Sequence, residues 1–367
     1  MEAIFKEWIG RAHDAAEAGK SLRIRGGGTK DFYGHAVDGE VLDTSVYRGI
    51  VAYEPTELVV VVRAGTPLAE LEAELQGRGQ CLPFEPPHYG PGSGSDHAAT
   101  VGGMVAAGLS GPRRAAVGAV RDYVLGVKMI DGKGELLSFG GQVMKNVAGY
   151  DVPRLMAGSL GTLGLITEVA LKVLPLPVAG MTLRFAMSEA EALQKLNSWG
   201  GQPLPLAASV WHDGALTVRL AGAVAAVSAA RKTLGGEEVD NAGAFWQSVR
   251  EQTHGFFADT TPLWRLSVAS VTAPLGLPGA SFIEWGGALR WVRGTMGAAA
   301  LDEARQLRAL AAAAGGHATL FRADDALKAS VGVFQPLSSS LLKIHRNLKK
   351  TFDPNGVFNV GRMYPGI

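Results

Sequence analysis

Apolar positions along this chain switch between helical and extended spacing. The opening stretch MEAIFKEWIGRAHDAAEAG carries helical spacing. A short apolar strand follows at 21–25 and runs into Gly26-Gly27-Gly28-Thr29-Lys30. Two more strands are predicted at 40–44 and 50–53. Residues 58–63 form an unbroken apolar run ending in Arg63, the pattern of a strand buried on both faces. Thr66 then fits a helix N-cap and Pro67 the first helical position. Leu68, Leu71 and Leu75 fall on one face of that helix, and Gly77 and Gly79 end it.

A loop rich in Pro and Gly spans 83–96, and a Gly/Ala-rich segment follows. Strands are expected at 123–130 and 135–139, joined by the turn Asp131-Gly132-Lys133-Gly134. Residues 164–173 alternate like a strand, and Pro175 and Pro177 close the region. Beyond it, strands at 183–187, 206–212, 215–220, 263–268 and 318–322 mix with helices near 188–199, 223–234, 242–253 and 297–314. That mixture reads as α+β. An amphipathic helix at 338–352 ends at Asp353-Pro354-Asn355-Gly356. The expected division is 1–178, 179–330 and a C-terminal segment, 331–367.

Composition narrows the function. A chain of 367 residues exceeds one simple core. Its 47% hydrophobic and 19% charged residues suit a soluble globular protein. A net charge of +1 gives no reason to expect nucleic acid or an anionic membrane. The single cysteine, Cys81, excludes an intrachain disulfide, a cysteine-held zinc and an iron–sulfur cluster held by this chain alone. It also points to a reducing compartment. The N-terminus lacks the pattern of a signal peptide. No apolar run reaches the roughly 18–20 residues of a transmembrane segment. A cytoplasmic protein is expected, peripheral to the inner face of a membrane only through a complex.

Two nucleotide motifs fail. Ala18-Gly19-Lys20-Ser21 resembles a P-loop end, but Asp14 stands where the motif needs glycine. A Rossmann fingerprint starting at Gly26 and Gly28 meets Asp31 at the third glycine position. The glycine loop itself has two readings, a tight turn or converging amides that hold a phosphate, with Thr29 as a hydroxyl donor and Lys30 or Arg25 as charge. Residues 99–108 have two readings as well. They are either close Gly/Ala packing or a surface that accepts a flat ring, with Thr100 as the polar contact.

Taken in order, RGGGTK, EPTELVVVVRAGTPLAELEAEL (54–75), ATVGGMVAAGLSGPRR (99–114), GAVRDYVLG (118–126), VMKNVAGYD (143–151), GSLGTLGLITE (158–168) and FDPNGVFNVGR (352–362) resemble the vanillyl-alcohol oxidase superfamily. Its members share the p-cresol methylhydroxylase-type FAD-binding domain. CLPFEPPHYG, GLSGPRRAAVGAVRDYVLG and FIEWGGALRWVRG are similar to the FAD-binding E-subunit family of bacterial glycolate oxidases (glycolate dehydrogenases). The resemblance covers nearly the whole chain. It implies an α+β fold, with a FAD-binding domain of two α+β subdomains, an inserted α+β cap and a C-terminal return. It also implies a cofactor set. Arg25, Gly26, Gly27, Gly28, Thr29 and Lys30 would wrap the FAD pyrophosphate. Thr100, Val101, Gly102 and Gly103 would lie on the flavin side, Leu165 and Ile166 on the adenine side, and Asn359 would return near the flavin. Gly108, Gly118 and Gly161 complete the set.

The departures from the family pattern are informative. Many relatives attach FAD through a histidine in or near the glycine loop. This loop has none, and His35 has no reason to take that part, so noncovalent FAD is expected. The HxDGNxH-like and EHG-like cap motifs of D-2-hydroxy-acid dehydrogenases are missing; at His212-Asp213-Gly214 the second histidine's place holds Thr217 or Val218. No metal site is expected, and no catalytic base is identified. His88, Arg113 and His212 are the candidates for chemistry, each with a structural alternative. The resemblance therefore implies a subunit that depends on partners: a larger catalytic FAD subunit and an iron–sulfur subunit. Their common substrate would be a 2-hydroxy acid, glycolate or D-lactate, oxidised to the 2-oxo acid. Two alternatives stay open, a self-contained D-2-hydroxy-acid dehydrogenase and a structural subunit with a vestigial flavin site.

Overall fold

The computed structural model describes residues 3–90, 98–141, 149–277 and 279–367. Helix α1 (Ala3–Glu17) buries Phe5, Trp8 and Ala12 against Leu22 of β1 (Leu22–Arg25) and Leu42 of β2 (Glu40–Asp43). β1 and β2 pair in parallel, Leu22 opposite Glu40. A five-stranded antiparallel sheet stands beside them. It is built from β3 (Ile50–Glu54), β4 (Val59–Arg63), β6 (Val124–Ile130), β7 (Leu136–Gly140) and β8 (Leu165–Lys172), in the order β3-β4-β8-β6-β7. Val59 to Val62 are all buried, as the apolar run predicts. Helices α2 (Leu68–Gly77), α3 (Val101–Ala107) and α5 (Val152–Met156) cover one face of this sheet. The short α4 (Arg114–Val117) follows α3. A two-stranded pair, β5 (Gln80–Cys81) with β9 (Leu174–Pro175), closes the region.

Every strand of the second sheet falls between Ala179 and Arg322. Its elements are β10 (Ala179–Ala186), α6 (Glu189–Gly200), β11 (Leu206–His212), β12 (Ala215–Gly222), α7 (Val224–Leu234), β13 (Glu237–Glu238), α8 (Gly243–Arg250), β14 (Leu263–Ser267), β15 (Ser281–Glu284), β16 (Leu289–Arg293), α9 (Ala300–Ala313) and β17 (His317–Arg322). The eight strands run antiparallel in the order β13-β10-β12-β11-β15-β16-β14-β17. Helices α6 and α7 cover one half of this sheet and α9 the other. The chain then passes through α10 (Asp325–Val331) to α11 (Ser339–Phe352) and returns to the first sheet, where Leu348 and Phe352 pack against its core.

One expectation changes, and two further segments take definite forms. Thr66 does not cap α2: its hydroxyl donates to Arg63 O at 2.7 Å and accepts from Gly49 N–H at 2.8 Å, and Pro67 takes the cap position. The Gly/Ala-rich segment is helical, with Thr100 as the N-cap accepting the Gly103 N–H. Between β15 and β16 the chain turns at Trp285–Gly287, with Trp285 and Gly286 at φ 55° and 65°, and Leu289–Trp291 are buried in β16.

Candidate functional site

β1 feeds the chain into the glycine loop, and three other segments close around it. One cavity is lined by Arg25 to Asp31, by Thr100, Gly102, Gly103, Ala106 and Ala107, by Leu160, Gly161, Gly164 and Ile166, and by Asn359 and Arg362. The tail is tied in through Asn359, which sits in the left-handed region at φ 43°. Its side-chain oxygen accepts the Ile24 N–H at 2.8 Å, and its amide nitrogen donates to Leu160 O at 2.7 Å. One side chain thus joins β1, the turn before β8 and the C-terminus.

The glycines serve close approach of backbones as much as ligand access. A Cβ on Gly27 would lie 1.7 Å from Ala98 O, and one on Gly26 would lie 2.4 Å from Thr100 Oγ1. Gly102 packs against Ala64, where a Cβ would fall 2.7 Å from the alanine methyl. Gly161 combines φ +73° with contact to Asn359. Any side chain at these positions drives the loop, α3 and the tail apart.

Charge in the cavity is unevenly committed. Arg23 and Arg25 both donate to Asp31 Oδ2, at 2.7 and 2.8 Å, so the charge of Arg25 is partly neutralised through its Nε. Arg362 donates to the carbonyls of Lys30 and Asp31 and fixes the far side of the loop. Lys30 differs. Among the described residues it has no carboxylate within ion-pair distance; its Nζ donates to Thr29 Oγ1 and His88 O and lies 5.5 Å from the Tyr89 ring centroid. Burial pulls its pKa down to about 8, and Glu251 opposes that pull only in part. The N–H groups of Gly28 and Thr29 have no hydrogen-bond partner among the described residues. Unpaired amides beside an underneutralised ammonium suit an anion, and the Gly/Ala face of α3 leaves room for a flat ring.

Twelve of the residues expected to hold the cofactor line this cavity: Arg25 to Lys30, Thr100, Gly102, Gly103, Gly161, Ile166 and Asn359. Val101, Gly108, Gly118 and Leu165 do not. Val101 and Leu165 are buried in the two cores beside the cavity. Gly108 ends α3 at φ +66° and Gly118 ends α4 at φ +98°. Residues 143–148 of the VMKNVAGYD motif, and His97, lie outside the described residues. Asp31, Leu160 and Arg362 were not anticipated. Leu160 and Arg362 lie inside quoted motifs, and Asp31 directly follows the loop.

None of the three candidates for chemistry borders this cavity. His88 Nε2 lies 2.9 Å from Glu72 Oε2. The Arg113 N–H donates to Glu85 Oε2 at 3.3 Å, beside the β5–β9 pair. His212 sits among His254, Phe256 and Phe282 at the end of β11. A different acid is buried in the region of the second sheet. Glu284, at the end of β15, accepts the Trp291 Nε1–H at 2.7 Å and borders a small cavity with Tyr89, Leu109 and Ser110. Burial pushes its pKa up to about 7 against the Trp291 hydrogen bond and the Arg265 guanidinium. Trp285 Nε1–H donates to Gly111 O at 3.0 Å and joins this side to the segment after α3.

Comparison with known proteins places this geometry. Residues 9–140 match the family model described as FAD binding domain. The chain is 51% identical over 343 residues to the glycolate oxidase subunit GlcE of Escherichia coli (strain K12), covering 94% of this chain and 92% of that protein. It is 34% identical over 145 residues to a D-lactate dehydrogenase of Anaerostipes hadrus, covering 40% of this chain and 29% of that protein. In fold it is similar to alkyldihydroxyacetonephosphate synthase, with a TM-score of 0.65 at 17% identity, covering 96% of this chain and 74% of that one. The architecture is the p-cresol methylhydroxylase-type FAD-binding fold with an inserted sheet, and the cofactor is FAD.

Proposed function

We propose, for a chain that belongs to the family of the glycolate oxidase subunit GlcE, that it is the FAD-binding subunit of a glycolate-oxidising complex and passes electrons to partner subunits. Correspondence over nearly the full length of both proteins carries this reading. Residues 1–178 and 331–367 would form the FAD-binding part and 179–330 the cap. The glycine loop and Lys30 would hold the pyrophosphate, and Gly102, Gly103, Ala106 and Ala107 would lie against the ring. Asn359 would keep the tail closed over them. Flavin, when bound, supplies hydride acceptance from a CH–OH carbon and electron release to an acceptor. The chain's own contribution is to bind, orient and enclose it.

Binding is noncovalent in this reading, because the loop offers Thr29 and Lys30 where a covalent attachment needs histidine. The partners are a larger FAD subunit and an iron–sulfur subunit. Cys81 is the one cysteine and cannot carry a cluster by itself. Co-expression tests this. The three chains together should co-purify and reduce an acceptor dye with glycolate, and omission of this chain should abolish dye reduction. Full activity of the other two chains without it overturns the proposal.

A further inference from the structure

We propose that Arg322 receives the carboxylate of a small 2-hydroxy or 2-oxo acid bound on this chain. The inference rests on the flavin-subunit reading and locates its substrate class. Arg322 ends β17, and its guanidinium lies against the rings of Phe32 (4.8 Å), Tyr89 (5.3 Å) and Phe321 (5.8 Å). It faces an open cavity of about 790 Å³.

The other charged groups around that cavity are committed. Arg293 donates to the carbonyls of Phe256 and Thr261. Arg250 pairs with Glu251 at 2.7 Å, and Glu251 also accepts the His88 and Tyr89 N–H groups. Asp259 accepts the Thr261 N–H. Among these side chains, the Arg322 guanidinium alone makes no hydrogen bond or ion pair with a described residue. A guanidinium held over aromatic rings, with its donor fork open, suits a carboxylate bound through two parallel hydrogen bonds.

Its position suits the flavin reading. Tyr89 lines the Arg322 cavity and packs in one buried cluster with Ala107 and Leu160, which line the glycine-loop cavity on the side proposed for the ring. One buried cluster therefore borders both cavities. Burial lowers the Arg322 pKa, a penalty on the charge that a bound anion relieves.

Calorimetric titration with oxalate tests the assignment on the FAD-loaded full chain, with uncharged 2-hydroxyacetamide as the control. Wild type should bind oxalate and not the amide. Arg322→Met should weaken oxalate by about ten- to a hundredfold, with FAD content, read from the visible spectrum, unchanged. Arg322→Lys should fall between, because it keeps the charge and loses the fork. Equal oxalate affinity in all three chains overturns the proposal. So does the absence of oxalate binding in the FAD-loaded wild type, or loss of FAD instead of oxalate in Arg322→Met. A chain that never holds FAD counts against the flavin reading, while the oxalate comparison still decides Arg322.

Discussion

At the residue scale, the buried acid Glu284 gives the plainest consequence. It is 5% exposed, and burial holds its pKa near 7, above the usual carboxylate value of 4.5. A raised acid pKa means that the folded chain holds its proton more tightly than the unfolded chain. That stabilisation is fully present below about pH 4.5 and is lost as pH rises through about 7. Between pH 5 and pH 8, wild type should lose on the order of 2 kcal/mol relative to Glu284→Gln. The variant keeps an oxygen for the Trp291 N–H and has no charge to bury. Urea unfolding of both chains at the two pH values measures the difference, and parallel pH dependences would sink the idea. Nothing in FIEWGGALRWVRG announces this acid. Its partner Trp291 is seven residues away, across a turn whose left-handed residues Trp285 and Gly286 only the fold reveals.

At the scale of elements, the link between α11 and the tail decides how the cavity is closed. Lys349 is 6% exposed, and its ammonium donates to Thr162 O, Phe358 O and Asp353 Oδ2 at 2.7–2.8 Å. Asp353 in turn accepts the N–H groups of Val357 and Phe358. This cluster turns the chain from helix into the segment that carries Asn359. Lys349→Met leaves a buried carboxylate and two carbonyls without their cation, at a cost of roughly 3–5 kcal/mol. FAD affinity should fall with it, because Asn359 is no longer held. Adding Asp353→Asn should recover part of the stability. Equal destabilisation by the double and single variants, measured by thermal melting, would refute the coupling. The helix itself was legible from its apolar spacing and its Asp-Pro-Asn-Gly end. Which lysine turns inward was not, since Lys343, Lys349 and Lys350 look alike until Thr162 and Phe358 are placed against one of them. The apolar run at 58–63 was legible for the opposite reason: four consecutive valines have only one comfortable place, the middle of a sheet.

At the scale of the molecule, the cavity draws on segments far apart in sequence, from Arg25 to Arg362, and Arg219 and Glu251 hold the neighbouring 85–89 segment, whose His88 O accepts from Lys30. Glu251 accepts the His88 and Tyr89 N–H groups, and Arg219 pairs with Glu85 at 2.6 Å. Among the described residues no helix is long and apolar enough to cross a membrane. The motif order carried the fold class into the sequence reading, and most of the expected cofactor residues do line one cavity. Residues such as Arg322 and Glu284, which matter through what they lack or what buries them, could not be read there.

The central claim is that this cavity holds FAD without a covalent bond. The most direct test is the visible spectrum of the purified full chain, before and after denaturation and removal of the precipitate. The account predicts a flavin band in the native chain that passes entirely into the supernatant, and its absence from Gly27→Ala, whose added methyl must displace the loop from Ala98 O. Flavin that stays with the precipitate, or a Gly27→Ala chain that retains its flavin, would contradict it.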